Sequence, residues 1–288
     1  MSTRNLKKWA LLLTFWAALH IPNLRAQTLT GYSAATFTGG GSDLTFRTDG
    51  TLMAKGAFGT GSLVSGEEGA GTRMLWFPAK GAFRAGIVYG TEWNHGNLGG
   101  YSVAFGSGTT ASGYASFAHG DGSSAIGDDS VAFGNTASAI GGASFAFGLF
   151  STSIGPGSLA FGSGGYAGGQ YSTAFGNGGY AYGDGSLAFG AFTSASGNYT
   201  TASGYQTVAN AYLSTVIGRY NLGTYGTGGK TTWLTTDPLF EVGNGTSGHP
   251  ADALIIYKNG NAAIQGKLTT GDVITAAPGG DIPVFTGS

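Results

Sequence analysis

The sequence predicts an all-β fold: a parallel β-roll or solenoid built from seven-residue strand-turn units, two units to a coil. Three observations carry this. A period of seven runs without a gap over residues 100–218, seventeen units in all. Glycine accounts for 56 of 288 residues, and each glycine inside a helix costs about 1 kcal/mol relative to alanine, so long helices are disfavoured. Only 9% of residues are charged while 41% are hydrophobic, too apolar a balance for a chain kept disordered by its charge. Collagen is excluded as well, because it needs Gly at every third position and abundant Pro, and Pro numbers only 7.

The first segment, 1–26, reads as an export signal. Arg4, Lys7 and Lys8 precede an apolar run of eleven residues, 9–19, and "HIPNLRA" follows. A membrane-spanning helix needs about 20 apolar residues, so this run is too short to be one. Cleavage is expected after Ala26. Its removal takes away four basic residues and no acid, leaving a net charge of −5. That balance gives no footprint for nucleic acid. The chain has no cysteine, so an exported protein must hold together without disulfides.

Segment 27–99 reads as a β-rich lead-in. "SDLTFRTDGTLMAKGAFG" suggests two strands around an Asp49–Gly50 turn. Every solenoid must cover its open first edge, and this segment is expected to do so. Trp76, Phe77, Phe83, Tyr89 and Trp93 are expected to supply the bulk.

The repeats follow, from "GYSVAFG" to "YLSTVIG". The seventh position is Gly in sixteen units, with Ala211 the exception. The fifth is Ala in fifteen, with Ser153 and Val216 the others. The third is always small. A coiled coil also repeats every seven residues, but it needs an apolar seam with charged flanks. Here there is no Lys or Arg, and the only acids are Asp121, Asp128, Asp129 and Asp184. Positions one and two read DG, NG, PG and SG, which are turn pairs. Positions three to seven then form a strand, with three, five and seven on one face and four and six on the other. The larger residues, such as Val131, Phe133, Phe145 and Phe147, are expected to fill the interior. The Ser/Ala/Gly face is expected to admit another sheet or chain closely. Phe recurs at position six at multiples of fourteen, so the coil should be fourteen residues: two short strands and two turns.

The "SVAFG", "SLAFG" and "SFAFG" units resemble the head repeats of trimeric autotransporter adhesins of the YadA type. The resemblance covers 100–218. It implies a left-handed parallel β-roll, a homotrimer, and a place on a bacterial surface.

After Gly218 the period stops. Asn259–Gly260 between two strand-like runs predicts a hairpin within 219–266, and the resemblance suggests that this segment clamps a trimer. The tail 267–288 reads as flexible. Such adhesins continue into a coiled-coil stalk and an outer-membrane barrel, and neither pattern is present in this sequence, nor is a transmembrane anchor.

No catalytic, cofactor or metal site is expected. The histidines outside the signal, His95, His119 and His249, are not at metal-ligand spacing. His119 takes a Phe slot, and the turn acids lack the Gly-Asp pattern of calcium-binding solenoids. A candidate binding surface is the set of aromatics at turn positions: Tyr101, Tyr114, Phe150, Tyr171, Phe192, Tyr199, Tyr205 and Tyr212. They face either solvent or a neighbouring chain.

The leading expectation is a non-enzymatic, exported protein, extracellular or associated with the outer membrane, that mediates adhesion or extracellular assembly. Its partner would be a host matrix protein, a glycan or another cell surface. The alternative is the receptor-binding or shaft segment of a tail-fibre-like assembly. A carbohydrate-active solenoid would need paired acids near its middle, and an ice-binding one regular Thr-x-Thr ladders. Neither pattern is found.

Overall fold

The computed structural model describes residues 34–39, 42–47, 51–59, 68–223 and 229–266. Segment 1–26, read above as an export signal, the Asp49–Gly50 turn itself and segment 267–288 lie outside them. The chain divides into two compact units at Ala57/Phe58. In the first, Ala34–Gly39, Ser42–Arg47 and Leu52–Lys55 form an antiparallel three-stranded meander.

The second unit is a parallel solenoid with a fourteen-residue coil. Nine long strands, from Val103–Ser107 to Thr215–Arg219, stack in one sheet, and eight two-residue strands, from Thr110–Ala111 to Val208–Ala209, stack in the other. The two strands of a coil are thus unequal: five residues in odd-numbered units and two in even-numbered ones. Each residue pairs with its equivalent one coil away, as Ala132 does with Ala118 and Ala146.

The interior reverses the expected faces. Ala132, Ala146 and Ala160 are fully buried, as are Ala125, Ala139 and Ala167 of the facing sheet. Phe133 and Phe189 point outward, 43% and 51% exposed. The reason is the size of the coil. With five and two residues on its two sides, the coil leaves room between its sheets for Ala, Ser and Thr, and for one valine, Val216, at its last turn. The smooth face does meet another sheet at close range, but that sheet is the other half of the same coil.

The remaining repeat positions follow from the same tight winding. Serine at position three is buried, and in the early long-strand units it turns its hydroxyl onto the preceding glycine carbonyl, as Ser116 Oγ does to Gly113 O at 2.7 Å, whereas Ser144, Ser172, Ser186 and Ser214 have no such partner. Ser153, which replaces an interior alanine, pairs its hydroxyl with that of Ser158 at 2.6 Å. Glycine at position seven is required by the next coil: a Cβ on Gly134 would lie 2.1 Å from the carbonyl oxygen of Gly148. Position two adopts a left-handed conformation in unit after unit, with φ 65° at Gly122 and 56° at Asp129. Acids at position one stitch neighbouring turns together: Asp128 Oδ1 accepts from Tyr114 N at 2.8 Å and Asp184 Oδ1 from Gln170 N at 2.9 Å.

Antiparallel segments close both ends of the roll. Before the first coil, Gly71–Phe77 pairs with Ala82–Val88, which runs parallel to Val103–Ser107. Arg84 there stands in register with Ala104 and enters the alanine column, fully buried. Its guanidinium donates to Ser102 O at 2.9 Å and Ala111 O at 2.8 Å, and burial pulls its pKa down to about 10. Trp93 and Phe77 are buried beside it, with Trp93 Nε1 donating to Thr109 O at 2.8 Å. Trp76 and Tyr89, expected as bulk for this cap, are exposed instead. Each stands on an outer position of its strand or turn, where the closed coil leaves no room inward.

After the last coil, Pro238–Asn244 continues the long sheet in parallel, and Asp252–Tyr257 and Ala262–Ile264 follow in antiparallel. The last two form a hairpin through Asn259 and Gly260, with Tyr257 N donating to Asn261 O at 2.8 Å.

Candidate functional site

Because the interior is sealed by methyl and hydroxyl groups, anything the roll does with a partner must happen on its outside. Four surfaces are available: two sheet faces and two turn edges. The face of the long strands carries an unbroken ladder at position six. His119 stacks on Phe133 at 4.6 Å, Phe133 on Phe147 at 5.6 Å, and Phe147 on Phe161 at 5.1 Å. Phe161, Phe175 and Phe189 continue it. Position four adds a second column with Val131, Phe145, Leu159 and Leu187. A contiguous apolar surface of this kind on a folded protein marks an interaction site. His119 takes its place in the ladder as one more flat ring.

The aromatics proposed as a binding surface are divided by the fold between the two edges. Tyr101, Tyr114, Tyr171, Tyr199 and Tyr212 lie on the turns that lead into the long strands. Phe150, Phe192 and Tyr205 lie on the opposite edge, where the chain leaves them. On the first edge Tyr101 meets Tyr114 at 5.2 Å and Tyr199 meets Tyr212 at 6.1 Å. On the second, Phe192 meets Tyr205 at 6.1 Å, and Tyr205 meets Tyr220 at 5.4 Å. Tyr171 is the most open of the set, 69% exposed, and Tyr212 is half-buried. Tyr101, Phe150, Tyr171, Phe192 and Tyr199 all hold φ between 54° and 57°. Other turns place glycine at that position, and a side chain there costs roughly 1 kcal/mol or more.

Sequence reasoning missed a third aromatic group, on the face of the short strands. Tyr166, Tyr180 and Tyr182 bring their ring centres within 5.4 to 6.3 Å of one another. Burial, with Tyr180 and Tyr166 adding to it, pushes the Tyr182 phenol above its ordinary range. The signal was present as a spacing: Tyr166 and Tyr180 are fourteen apart at position four, and Tyr182 is two further on at position six.

At the C-terminal end two carboxylates are buried. Glu241 takes the place in the column after Val216. Burial pushes its pKa up to about 7, opposed by a hydrogen bond from Asn221 and assisted by the charge of Asp252. Burial raises Asp252 too, while a bond from Leu222 N opposes it. Beside them Lys258 Nζ lies 3.8 Å from Asp237 and 5.0 Å over the Trp233 ring. Among the described residues no group of three or more potential metal ligands gathers. Nor is any helix among them long and apolar enough to cross a membrane.

A parallel β-solenoid with a fourteen-residue coil, an alanine core and an aromatic outer face defines a class of repeat protein built for its surfaces. Within that class, the YadA head domain repeat matches residues 98–221 in seven overlapping stretches, so this part of the chain is a YadA-like head repeat region. No curated protein matches the chain.

Proposed function

We propose that the protein is an exported, non-enzymatic adhesin-like β-roll that works as a homotrimer at the cell surface. The observation that carries this reading is the exposed ladder from His119 to Phe189 inside a head-repeat region. Three copies that turn their long-strand faces to a common axis would cover it, whereas a single chain in water would leave it exposed. This reading assigns the trimer contact to the Val/Phe face, because the Ser/Ala/Gly face expected to take it is buried inside the coil. The turn edges, with their strained aromatics, then point away from the axis and supply a contact surface for a matrix protein, a glycan or another cell. In this reading 1–26 is the export signal, 27–99 leads into the roll, and 219–266 helps hold three chains together.

Light scattering on the full chain tests the assembly. About three times the monomer mass is expected. The Phe133→Asp/Phe147→Asp double variant should fall to one monomer mass and keep its β signal, because both side chains are outside the coil. A wild-type chain that stays monomeric at micromolar concentration removes the trimer. Loss of binding to immobilised matrix proteins and cell-surface glycans in a Tyr171→Gly/Tyr199→Gly variant would support the role of the edge, and full retention would refute it.

A further inference from the structure

We infer that Tyr166, Tyr180 and Tyr182 form a binding subsite for a neutral saccharide on the short-strand face. Position six of this face holds Ile126, Ile140 and Ile154 in successive coils, then Gly168, then Tyr182. The missing side chain at Gly168 opens a notch between Ile154 and Tyr182. These two stand two coils apart, about 9–10 Å at the usual strand spacing, and the Tyr166 ring lies between them. The notch is floored by a ring. Tyr166 reaches along its own strand over Gly168, where a Cβ would lie 2.7 Å from its Cε1. One wall is the pair Tyr180 and Tyr182, 5.8 Å apart with 8° between their planes. Floor and wall meet at 46° between Tyr166 and Tyr182.

The chemistry of this corner matches a sugar. Phenol faces accept the C–H face of a pyranose. Three phenols bring hydroxyl groups to this corner, and Ser194 and Ser196 follow at the same positions of the next coil. Tyr182 is 50% exposed and Tyr180 39%, so the rings are accessible. The charge of the ligand is set by what surrounds the corner. Residues 100–218 contain no Lys or Arg, and the short-strand face carries no acid at its outward positions. The strand positions that form the corner thus offer no charged group to a ligand, the nearest in sequence being the turn residue Asp184. The inference rests on the reading above in one respect: a trimer closed through the long-strand face leaves this face open.

The test uses the full chain, titrated with neutral oligomers of glucose, xylose and N-acetylglucosamine and followed by saturation-transfer NMR and calorimetry, with sialylated and sulfated oligosaccharides as comparison. Binding of at least one neutral series is expected, with ring protons of the sugar in contact with tyrosine. Tyr166→Ala/Tyr182→Ala should weaken it at least tenfold. Gly168→Ala keeps all three tyrosines but displaces the Tyr166 ring, and it should weaken binding several-fold at unchanged mass and β signal. Binding of no neutral sugar, binding of charged glycans alone, or neutral binding indifferent to both variants would each overturn the subsite. So would dissociation of the assembly by Tyr166→Ala/Tyr182→Ala, which would make this corner a contact between copies. A chain that is trimeric and adheres through its turn edges, yet ignores neutral sugars, would sink this inference and leave the proposed function standing.

Discussion

Phe147 and Phe161, fourteen residues apart, stack at 5.1 Å with 9° between their planes, and both lie outside the coil, while Ala146 and Ala160 beside them are fully buried. This places the small residue in the core and the large one on the surface. It predicts opposite effects for neighbouring substitutions. Ala146→Leu forces three extra carbons into a filled column, and overpacking of this kind costs about 1–3 kcal/mol or more. Phe147→Ser should cost the monomer under about 1 kcal/mol beyond its stacking, since the ring is already partly in water. Urea unfolding of both variants at a concentration where the chain is dissociated checks this. A larger loss for Phe147→Ser would mean that the ring is core after all.

Glycine at position seven should be intolerant of any side chain. Gly134 has φ 140°, and a Cβ there would meet the Gly148 carbonyl at 2.1 Å. Gly134→Ala is expected to disrupt stacking of the two coils and lower the melting temperature by ten degrees or so, a loss of about 2–3 kcal/mol. Gly164, with φ 66° and open space around it, is the comparison. Gly164→Ala should cost only about 1 kcal/mol, the cost of the left-handed conformation. Equal shifts would show that backbone clash is not what selects glycine in the repeat.

The strained turn aromatics should be replaceable with a gain in stability. Phe150 holds φ 55° and Tyr171 φ 54°. Phe150→Gly and Tyr171→Gly each remove a left-handed penalty of about 1 kcal/mol, partly offset by the greater freedom of the unfolded chain. A modest rise in the unfolding midpoint is expected, together with weaker attachment for Tyr171→Gly. A clear fall in stability would show that these rings make contacts within the chain worth more than the strain.

Stability should also depend on pH through Glu241. Its carboxyl, near 4.5 in an unfolded chain, is pushed up to about 7 by burial. The folded chain therefore holds a proton that the unfolded chain has lost over the window between those values. Stability should be highest at or below the lower value, fall as pH rises through the window, and level off above about 7. At 1.36 kcal/mol per unit the whole effect is about 3 kcal/mol at most. Glu241→Gln, a neutral stand-in for the protonated acid, should remove this part of the profile and leave only the contribution of Asp252, which burial also raises. Denaturant midpoints for the wild type that do not differ between pH 5 and pH 8 would show that the buried carboxylate is relieved in some other way.

Much of the fold was legible because the period is a consequence of stacking. Gly at position seven and Ala at position five recur every seven residues where one coil lies on the next, and Phe at position six, recurring every fourteen, marked the coil and with it the parallel pairing. What sequence alone did not give was which face is inside. Alternation assigns Ala132 and Phe133 to opposite faces but says nothing of the distance between the two sheets. The habit of placing large side chains in the core then selects the wrong one. The distance comes from the two-residue length of the short strand, such as Ser138–Ala139, which is shorter than the repeat spacing suggests. The candidate site was half legible. Turn aromatics stood out by position, but their division between two edges depends on which turn each unit occupies. The tyrosine corner depends on Gly168, an absence that looked like one more glycine among many.

The charges at the two ends of the alanine column bear on growth. A stack of identical coils has no intrinsic last member, and a bare end offers the next chain the same hydrogen bonds and the same row of methyl groups. Here one terminus of the column is a guanidinium and the other a carboxyl, each followed by strands that reverse direction. Another chain arriving end-on would have to bury its methyl row against a guanidinium or a carboxyl group and match a parallel edge to a reversed one. The column therefore stays a particle of defined length and does not serve as the seed of a filament.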